Sequence, residues 1–449
     1  MLLSLFPILA YNNAKLIQDL SIYQKEYIRI NVLQVSTLCF GAYLYFITDY
    51  FLRFSARLPG YGAIRPTVVV FLFICVLLLF QQDRLKSKVK DPIFKAFFAL
   101  VIYIFISLPF VEWPGSVIRG NAEAFIKAAS FLFFTVFIID SEKRLKIFLW
   151  VFLGCQVFRV LEPLYLNLTE GYTGSRTYLG GGEFAGRLAG APADVINPNG
   201  LGFVIVTAIP FLHYFLWHGR WYAKLVYVAL LPLFLYALIQ TLSRGAFVAL
   251  LVVAWMIFKD SRHKLVLIMA GLLIAIVAWN SMSPIQQERY ASLLGGESQQ
   301  VAGVEGRIRG NIQEIRLGFS RPIFGHGLGT TPEAKYHAYG STQASHNFYA
   351  ELLIELGIIG AIIYFIFLTR IYQRFKSNRA KMEKLGFSRS NFYSRLNMAM
   401  VAVFWMYVVY SLNYWGLSQY YWYLFGGITI SFGRIIDGYL AEGYAAKDA

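Results

Sequence analysis

The apolar run from Ala350 to Leu368, AELLIELGIIGAIIYFIFL, directly follows the polar stretch Ser345-His346-Asn347-Phe348-Tyr349. A run of about 20 apolar residues is long enough to cross the hydrocarbon core of a bilayer as an α-helix. We therefore predict a membrane helix that begins near residue 347, where a long polar segment meets the membrane surface. Either Ser345 or Asn347 is suited to cap this helix, because a short side-chain oxygen can accept a hydrogen bond from the first turn. His346 then lies at the interface.

Similar apolar runs occupy most of the chain. Its 449 residues are 57% hydrophobic and only 15% charged, whereas a soluble domain has about 25% charged residues. We predict an all-α, polytopic membrane protein of about twelve transmembrane helices, organised as a single transmembrane domain over residues 1–449. The short segment Leu2 to Ala10 is expected to lie at the interface instead of crossing. The predicted spans lie near residues 31–49, 66–81, 93–111, 121–140, 144–166, 199–217, 222–240, 245–258, 264–281, 347–369, 392–413 and 417–436.

Basic residues alternate between the loops. The formal net charge is +16, but Lys and Arg cluster in every second loop, which is the positive-inside pattern of membrane proteins and not a nucleic-acid-binding surface. The pattern predicts cytoplasmic termini and a cytoplasmic cluster at residues 370–389. Arg53, Arg57 and Arg65 depart from it, so they bind lipid head groups or the first span is misplaced. The predicted outward loops are 50–65, 112–120, 167–198, 241–244, 282–346 and 414–416.

Two outward segments are longer than a simple connection requires. Residues 167–198 are rich in glycine, and the turn signal Asn197-Pro198-Asn199-Gly200 marks the start of the next helix. Residues 282–346 form the largest outward loop, and a loop of this length in a compact protein is usually functional. This second segment is predicted to hold two short helices and a glycine-rich turn, at Pro284 to Leu294, Arg307 to Phe319 and Arg321 to Gly329.

Arginines outside the predicted cytoplasmic loops are candidates for phosphate binding. Guanidinium groups stay protonated and bind phosphate through two hydrogen bonds. Arg244 lies between two apolar runs at the membrane boundary, where a charge is costly and indicates function. Arg187, between two glycine residues of the first long loop, is a second candidate. The arginines of 282–346 are either further phosphate ligands or solvated charges paired with loop glutamates: Arg289, Arg307, Arg309, Arg316 and Arg321.

Charged residues inside the predicted spans favour structural roles. Arg159 precedes Glu162 by three residues, a spacing that allows an ion pair on one helix face. Glu355 lies about 13 Å deeper than His346 along the helix and roughly on the opposite face. We therefore expect Glu355 to bond a neighbouring helix and not to orient the histidine.

Histidine is the candidate proton acceptor, because its ordinary pKa of about 6.5 lets it exchange protons near neutral pH. His346 lies at the membrane surface, and His326 and His337 in the same outward segment compete with it. No histidine spacing typical of a zinc site occurs in the sequence, so neither a metal nor a cofactor is expected. The cysteines all fall inside predicted spans, where buried free thiols are expected: Cys39, Cys75 and Cys155.

Three of these motifs resemble the O-antigen ligase and polymerase superfamily of bacterial envelope glycosyltransferases. The sequence from Ser345 to Gly360 is similar to the family's signature around its essential histidine. Residues Arg321 to Gly329 look like the turn that precedes this signature, and Thr241 to Ala246 looks like the arginine segment between two spans. The motifs cover mainly residues 240–365, while the number of spans and the large outward loop agree with the family along the whole chain.

The resemblance implies a GT-C-like glycosyltransferase of the bacterial inner membrane, with 282–346 as a large periplasmic loop. It implies metal-independent, inverting transfer of a glycan from undecaprenyl diphosphate to a sugar hydroxyl of lipid A–core. Partners are then the lipid-linked donor, the lipid A–core acceptor and membrane lipids, and no nucleic acid or cofactor. His346 would be the general base, and Arg244 and Arg187 would bind the diphosphate. Secondary candidates in the periplasmic loop are Arg307, Arg309, Arg321, His337 and His326.

Two alternatives stay open at this point. An O-antigen polymerase, which joins lipid-linked repeat units to one another, belongs to the same superfamily. A transporter or flippase for lipid-linked sugars is an alternative of another class. A transporter normally shows charges along the middle of its helices and a two-fold repeat. Here Lys127 and Arg159 are inside predicted spans, but most charged candidates lie on one side, which favours an outward-facing active site.

Overall fold

The computed structural model of the protein describes residues 34–180, 183–291, 301–342, 345–414 and 416–445. The predicted interfacial segment Leu2 to Ala10 and the start of the predicted span 31–49 lie outside these residues. The main elements, in chain order, are α1 (Thr37–Leu52), α2 (Pro66–Leu79), α3 (Pro92–Ser107), α4 (Ala122–Ile138), α5 (Glu142–Glu170), β1 (Gly174–Gly180), β2 (Glu183–Leu188), α6 (Pro198–Leu212), α7 (Trp221–Gln240), α8 (Arg244–Asp260), α9 (Lys264–Ser281), α10 (Pro284–Ala291), α11 (Val301–Ser320), α12 (Thr331–Tyr339), α13 (Phe348–Lys384), α14 (Phe392–Tyr410) and α15 (Tyr420–Ala445).

Helices occur at all the places predicted for spans. Within the described ranges, nine helical segments are long and apolar enough to cross a membrane. The protein is therefore a multi-pass membrane protein. The helices α1, α8 and α15 are not among the nine, so a count of twelve spans and the relation to GT-C enzymes stay predictions.

Local sequence signals explain where several helices begin. The side chain of Asp91 accepts a hydrogen bond from the backbone N–H of Ile93, and Asn197 accepts one from Gly200, so each caps the helix that follows. A proline follows each cap, at the first helical position, where its missing N–H costs nothing. Ser141 and Asn391 cap α5 and α14 in the same way. The predicted boundaries at these helices are therefore set by capping chemistry as well as by hydrophobicity.

A β-hairpin corrects the prediction of an all-α fold. Strands β1 and β2 pair antiparallel, with Ser175 opposite Arg187 and Thr177 opposite Ala185. Residues 167–198 were predicted only as a glycine-rich loop. Five of their glycines fall in or beside the hairpin, at 174, 180–182 and 186, and obscure the alternation that indicates strands. The hairpin matters for the site because it carries Arg187.

The loops gather at two opposite ends of the helix bundle. One end, here called the loop end, contains the described residues 53–65, 108–121, 171–180, 183–197, 241–243, 282–291, 301–342, 345–347, 411–414 and 416–419. The loops there contact one another: Arg53 donates to the carbonyl of Asp194 at 3.3 Å, and the N–H groups of Glu112 and Trp113 both donate to the carbonyl of His326 at 3.1 Å. The other end, here called the basic end, contains residues 80–91, 139–141, 218–220, 261–263 and 385–391. The predicted outward loops thus share one end, and the side of the membrane that this end faces stays a prediction.

The long helix α13 is broken at Gly357. This residue has φ +64° and ψ −171°, a conformation that is accessible essentially only to glycine. The glycine-rich turn before α12 fills the break: the N–H of His326 donates to Ile354 O at 2.7 Å, and the N–H of Ile358 donates to Pro322 O at 2.7 Å. The hydroxyl of Tyr103 on α3 donates to the carbonyl of Leu356 at 2.6 Å. The sequence predicted one continuous helix over 347–369, and the break at Gly357 corrects that prediction.

Within its described residues, the segment 282–346 contains three helices where the sequence predicted two. Helix α10 is described over Pro284–Ala291, inside the predicted Pro284 to Leu294, and α11 over Val301–Ser320, which contains the predicted Arg307 to Phe319. The third helix, α12, was missed. Its sequence, TPEAKYHAY, has no apolar periodicity, and only its early proline signals a helix start. Residues 292–300 lie outside the described chain.

Candidate active site

Arg244 is the first residue of α8 and lies at the loop end. Its residue exposure is 9%, so the guanidinium is largely surrounded by protein. Ser243 caps the helix by accepting a hydrogen bond from the N–H of Ala246 at 3.4 Å. Leu242 has φ +50°, which is strained for a leucine and fixes a tight turn directly before the arginine. The positive end of the α8 dipole and a guanidinium therefore occupy one place, which is suited to an anion.

Arg187 reaches the same turn from the hairpin. Its Nε donates to the carbonyl of Thr241 at 2.8 Å, and its Nη2 donates to Oδ1 of Asn199 at 3.0 Å. Residue Thr241 lies three positions before Arg244. The structure thus joins the two predicted diphosphate ligands through the turn 241–243, although they are far apart in sequence.

The start of α6 and the end of α14 complete this corner. The hydroxyl of Tyr410 donates to the carbonyl of Asn199 at 2.6 Å. A Cβ added to Gly202 would lie 2.6 Å from the Cβ of Ala246, so α6 and α8 touch backbone to backbone here. Sequence reasoning missed Asn199 and Tyr410. The turn signal at 197–200 marked the place, but not the contact to Arg187.

His346 lies directly before α13, between two residues with structural bonds. Ser345 Oγ donates to Glu314 Oε2 at 2.7 Å. Asn347 is the cap, because its Oδ1 accepts from the N–H groups of Tyr349 and Ala350 at 3.0 and 3.2 Å. The choice that the sequence left open between Ser345 and Asn347 is thereby settled, and the half-buried imidazole of His346 is not part of the cap.

The helix starts that carry His346 and Arg244 pack against the same helix end. The hydroxyl of Tyr349 donates to the carbonyl of Val408 on α14 at 2.8 Å. A Cβ added to Gly245 would lie 3.5 Å from the Cβ of Asn413, just beyond α14. Residues 408–413 therefore link His346, the candidate base, to the site formed by Arg187, the turn 241–243 and Arg244, here called the arginine corner.

Two buried glutamates of α13 hold loops in place around this region. Glu351 accepts from the N–H of Gly416 at 2.7 Å and from that of Leu417 at 3.3 Å. Glu355 accepts from the N–H of Gly329 and from Thr331 Oγ1, both at 2.7 Å. A structural role for Glu355 agrees with this geometry. Its partners belong to the glycine-rich turn and α12, however, and not to a neighbouring membrane helix as the sequence suggested.

His326, His337 and Arg321 form a separate cluster around Glu112 and Trp113. His326 is 4% exposed, and its Nδ1 is hydrogen bonded to the carboxylate of Glu112. Its Nε2 lies 3.1 Å from Ser320 Oγ. The ring of Trp113 stacks between His326 and His337, with centroids 5.3 Å from each, and Arg321 Nη1 lies 3.5 Å from Glu112 Oε2. These secondary candidates therefore anchor the large loop. Sequence analysis did not single out Glu112 or Trp113.

The remaining arginines of the large loop are exposed where the structure describes their side chains. These are Arg309 and Arg316 on α11, and the side chains of Arg307 and Arg289 lie outside the described residues. Glu314, one of the loop glutamates, pairs with Lys335 at 2.7 Å and not with an arginine.

The predicted pair between Arg159 and Glu162 is wrong. Arg159 instead binds both carboxylate oxygens of Asp194, at 2.8 and 3.0 Å. Glu162 binds Arg57, with Nη2 and Oε2 separated by 2.7 Å. A partner brought in by the loop 171–197 has outcompeted the local one. Because Arg57 is held by Glu162 and Arg53 reaches Asp194, these two arginines have protein partners in place of the predicted lipid head groups.

In the part of the chain that the structure describes, no group of three or more His, Cys, Asp or Glu is arranged to hold a metal ion. The cysteines are free thiols: Cys39 and Cys155 are buried, and Cys75 is half-buried.

The fold and this corner define a class of protein: a multi-pass membrane protein with arginines and a histidine gathered at one end of its helices. Residues 228–365 match the model of the family described as O-Antigen ligase. Over these residues the match confirms the resemblance to the O-antigen ligase and polymerase superfamily that was seen in the sequence. It includes Arg244, the glycine-rich turn and His346, while Arg187 lies outside it. No curated protein matches the chain.

Proposed function

We propose that the protein is an O-antigen ligase that transfers a polysaccharide from undecaprenyl diphosphate to a sugar hydroxyl of lipid A–core. The observation that carries this proposal is the arginine corner within a superfamily of glycosyltransferase-like enzymes. Arg244 is buried at a helix N-terminus, and Arg187 is hydrogen bonded to the turn before it. A diphosphate is an anion that both guanidinium groups and helix N-termini bind well.

The proposed reaction is one displacement at the anomeric carbon. The acceptor hydroxyl attacks that carbon, the bond between it and the diphosphate oxygen breaks, and the anomeric configuration inverts. His346 accepts the hydroxyl proton as general base. Arg244 and Arg187 stabilise the negative charge that grows on the leaving diphosphate. The glycosyl–diphosphate bond of the donor, which is the bond that breaks, supplies the driving force, and the proposed mechanism uses neither metal nor nucleotide.

The assignment of His346 as general base is tested by measuring glycan transfer by purified histidine variants in detergent, with donor and acceptor present. We expect His346→Ala to lower transfer by about 10²- to 10⁴-fold, as loss of a general base does, while unfolding of the purified protein in detergent is unchanged. The matched control is His337→Ala, which removes an exposed ring that stacks on Trp113. Full transfer by His346→Ala, together with loss in His337→Ala, would show that the base has been misassigned.

The same purified system separates the enzyme from a transporter, because a transporter forms no glycosidic product in detergent. The lipopolysaccharide of a deletion strain separates ligase from polymerase. A ligase deletion leaves a core with no long chains while lipid-linked polymer persists. A core that bears one repeat unit would instead identify a polymerase.

We also propose that the loop end faces the periplasm and the basic end the cytoplasm, as the positive-inside pattern predicts. Thr342 and Ser388 are exposed at the loop end and the basic end respectively. An impermeant thiol reagent should label Thr342→Cys in cells with a permeable outer membrane. It should label Ser388→Cys only after the inner membrane is broken. The reverse pattern would invert the topology.

A further inference from the structure

A polar cavity of about 300 Å³ lies at the loop end, beside the arginine corner. It is bounded by the ends of α1 and α5, the residues that follow the hairpin, the start of α6 and the start of α15.

The feature that sets this cavity apart is Asp49, in the last turn of α1. The residue is 1% exposed. Its Oδ2 accepts a hydrogen bond from Thr67 Oγ1 at 2.5 Å. Its Oδ1 is buried and has no hydrogen-bond partner within the described ranges. A buried carboxylate oxygen normally has a donor, so this oxygen indicates a ligand that brings a hydroxyl or N–H group into the cavity.

The neighbouring charges argue against a metal cation as that ligand. Arg159 is buried in the cavity wall and Arg53 lines its rim, so two cations already face the space. Both carboxylate oxygens of Asp194 are taken by Arg159, at 2.8 and 3.0 Å, and are not free to coordinate. A neutral ligand with hydroxyl groups avoids repulsion by these arginines and still satisfies Asp49.

The remainder of the lining has the character of a carbohydrate site. Tyr50 and Tyr420 present aromatic rings, 5.4 Å apart and nearly perpendicular. Rings of this kind offer apolar faces to the C–H groups of a sugar and hydroxyls to its edge. Gln419 adds an amide that can both donate and accept. By contrast, the cavity of about 590 Å³ between α2, α3 and α4 is lined almost entirely by apolar side chains such as Phe71, Phe105 and Phe133.

The cavity is also adjacent to the proposed diphosphate site. Gly200 lines it, and the preceding residue, Asn199, accepts the hydrogen bond from Arg187 at 3.0 Å. A sugar unit in the cavity would therefore lie close to the arginines that bind the diphosphate.

We propose that this cavity is a saccharide subsite in which Asp49 Oδ1 accepts a hydrogen bond from a sugar hydroxyl. The inference rests on the proposed glycan transfer and adds the place where one of the two saccharides is held. The sugar comes either from the acceptor core or from the donor glycan, and the experiment distinguishes these sources.

The test measures the binding of oligosaccharides to the purified full chain in detergent by saturation-transfer NMR. The probes are lipid-free core oligosaccharide and, separately, repeat-unit oligosaccharide, both released from the lipopolysaccharide of the source cell. We expect one probe to bind and Asp49→Asn to weaken it about 10-fold, the effect of losing a hydrogen bond to a charged group. The amide retains an oxygen for Thr67 and presents N–H groups to the cavity. The matched control, Asp83→Asn at the exposed basic end, should bind like the wild type.

Each outcome has a separate meaning. Weakened core binding assigns the subsite to the acceptor, and weakened repeat-unit binding assigns it to the donor. Neither probe binding to the wild type, or unchanged binding by Asp49→Asn, overturns the subsite. If Asp49→Asn fails to fold, Gln419→Ala takes its place with the same expected loss. A wild type that binds a probe but forms no product in the transfer assay refutes the proposed function and leaves the subsite standing.

Discussion

The buried carboxylate of Asp140 at the basic end and those of Glu351 and Glu355 at the loop end have different partners. At the basic end, Asp140 accepts from Arg144 Nη1 at 3.0 Å and from Lys88 Nζ at 3.2 Å. All three side chains are less than 10% exposed. At the loop end, Glu351 and Glu355 accept instead from backbone N–H groups of residues 329, 416 and 417. Asp140 therefore binds buried cations, whereas the two glutamates of α13 bind loop backbone.

This difference separates carboxylates that stabilise the fold from carboxylates that position loops near the candidate active site. A charge pair at the basic end joins helices and neutralises cations that orient the protein in the membrane. A glutamate of α13 fixes the position of a loop relative to His346 and the arginine corner. Loss of the charge pair at the basic end should therefore alter the free energy of unfolding without altering transfer, while loss of a loop contact made by Glu351 or Glu355 should alter transfer.

The largest effect is expected from Arg244→Lys. The ammonium group retains the charge but cannot make the paired hydrogen bonds of a guanidinium with phosphate. We expect transfer to fall by about 100-fold or more, as it does when one transition-state donor is lost. The measurement is initial rate with purified donor and acceptor. The control is Arg309→Lys, at an exposed position of α11. Equal rates for both variants would reduce Arg244 to a structural charge.

An intermediate effect is expected from Gly357→Ala in the break of α13. The added Cβ would collide with the carbonyl of Ile323, and φ +64° with ψ −171° disfavours any side chain. We expect a loss of about 3 kcal/mol in the free energy of unfolding, accompanied by reduced transfer because the turn 321–330 is displaced. Thermal unfolding in detergent measures the first effect.

The control for this change is Gly271→Ala in α9, where an added Cβ meets no described atom within 4 Å. It should leave both unfolding and transfer close to wild type. A Gly357→Ala protein with wild-type stability would mean that the turn 321–330 does not fill the break in α13 when the protein is in its membrane or detergent environment.

The smallest effects on transfer are expected at the basic end, where the two aspartates differ in burial. Asp140→Asn leaves two buried cations short of their partner and should cost about 3 kcal/mol. Asp437→Asn loses contacts of 2.5 Å to Arg374 and Lys381, but its side chain is 40% exposed, so about 0–1 kcal/mol is expected. Neither variant should change the transfer rate per folded molecule. A lower transfer rate for Asp437→Asn would contradict the expectation that the charge pairs of the basic end affect stability and not transfer.

Local sequence signals were sufficient for most helices and for part of the site. Apolar runs indicated where the helices lie. The position of Arg244 at the membrane boundary indicated from the sequence that it is a candidate for phosphate binding. The cap before α13 was narrowed to Ser345 and Asn347. These features depend on a few neighbouring residues, so they can be predicted from the sequence.

Features that depend on distant residues were not predictable in the same way. Arg159 pairs with Asp194, which is 35 positions away, because the chain after the hairpin folds back over α5. The break at Gly357 exists only because the turn 321–330 supplies hydrogen bonds that a straight helix would make internally. Asp49 was overlooked although an acid in the last turn of an apolar helix is a signal of function.

The break in α13 also constrains the order in which the protein can be assembled. Tyr103, Pro322 and His326 all precede the break in the chain, so they leave the ribosome before the residues whose backbone groups they must satisfy. Until residues 354–358 arrive, the N–H groups of His326 and Gly327 and the carbonyl of Pro322 lack their partners in α13. The large loop therefore acquires its final shape only when α13 inserts beside α3. Synthesis that halts before residue 354 should leave the loop unfolded, whatever has already formed upstream.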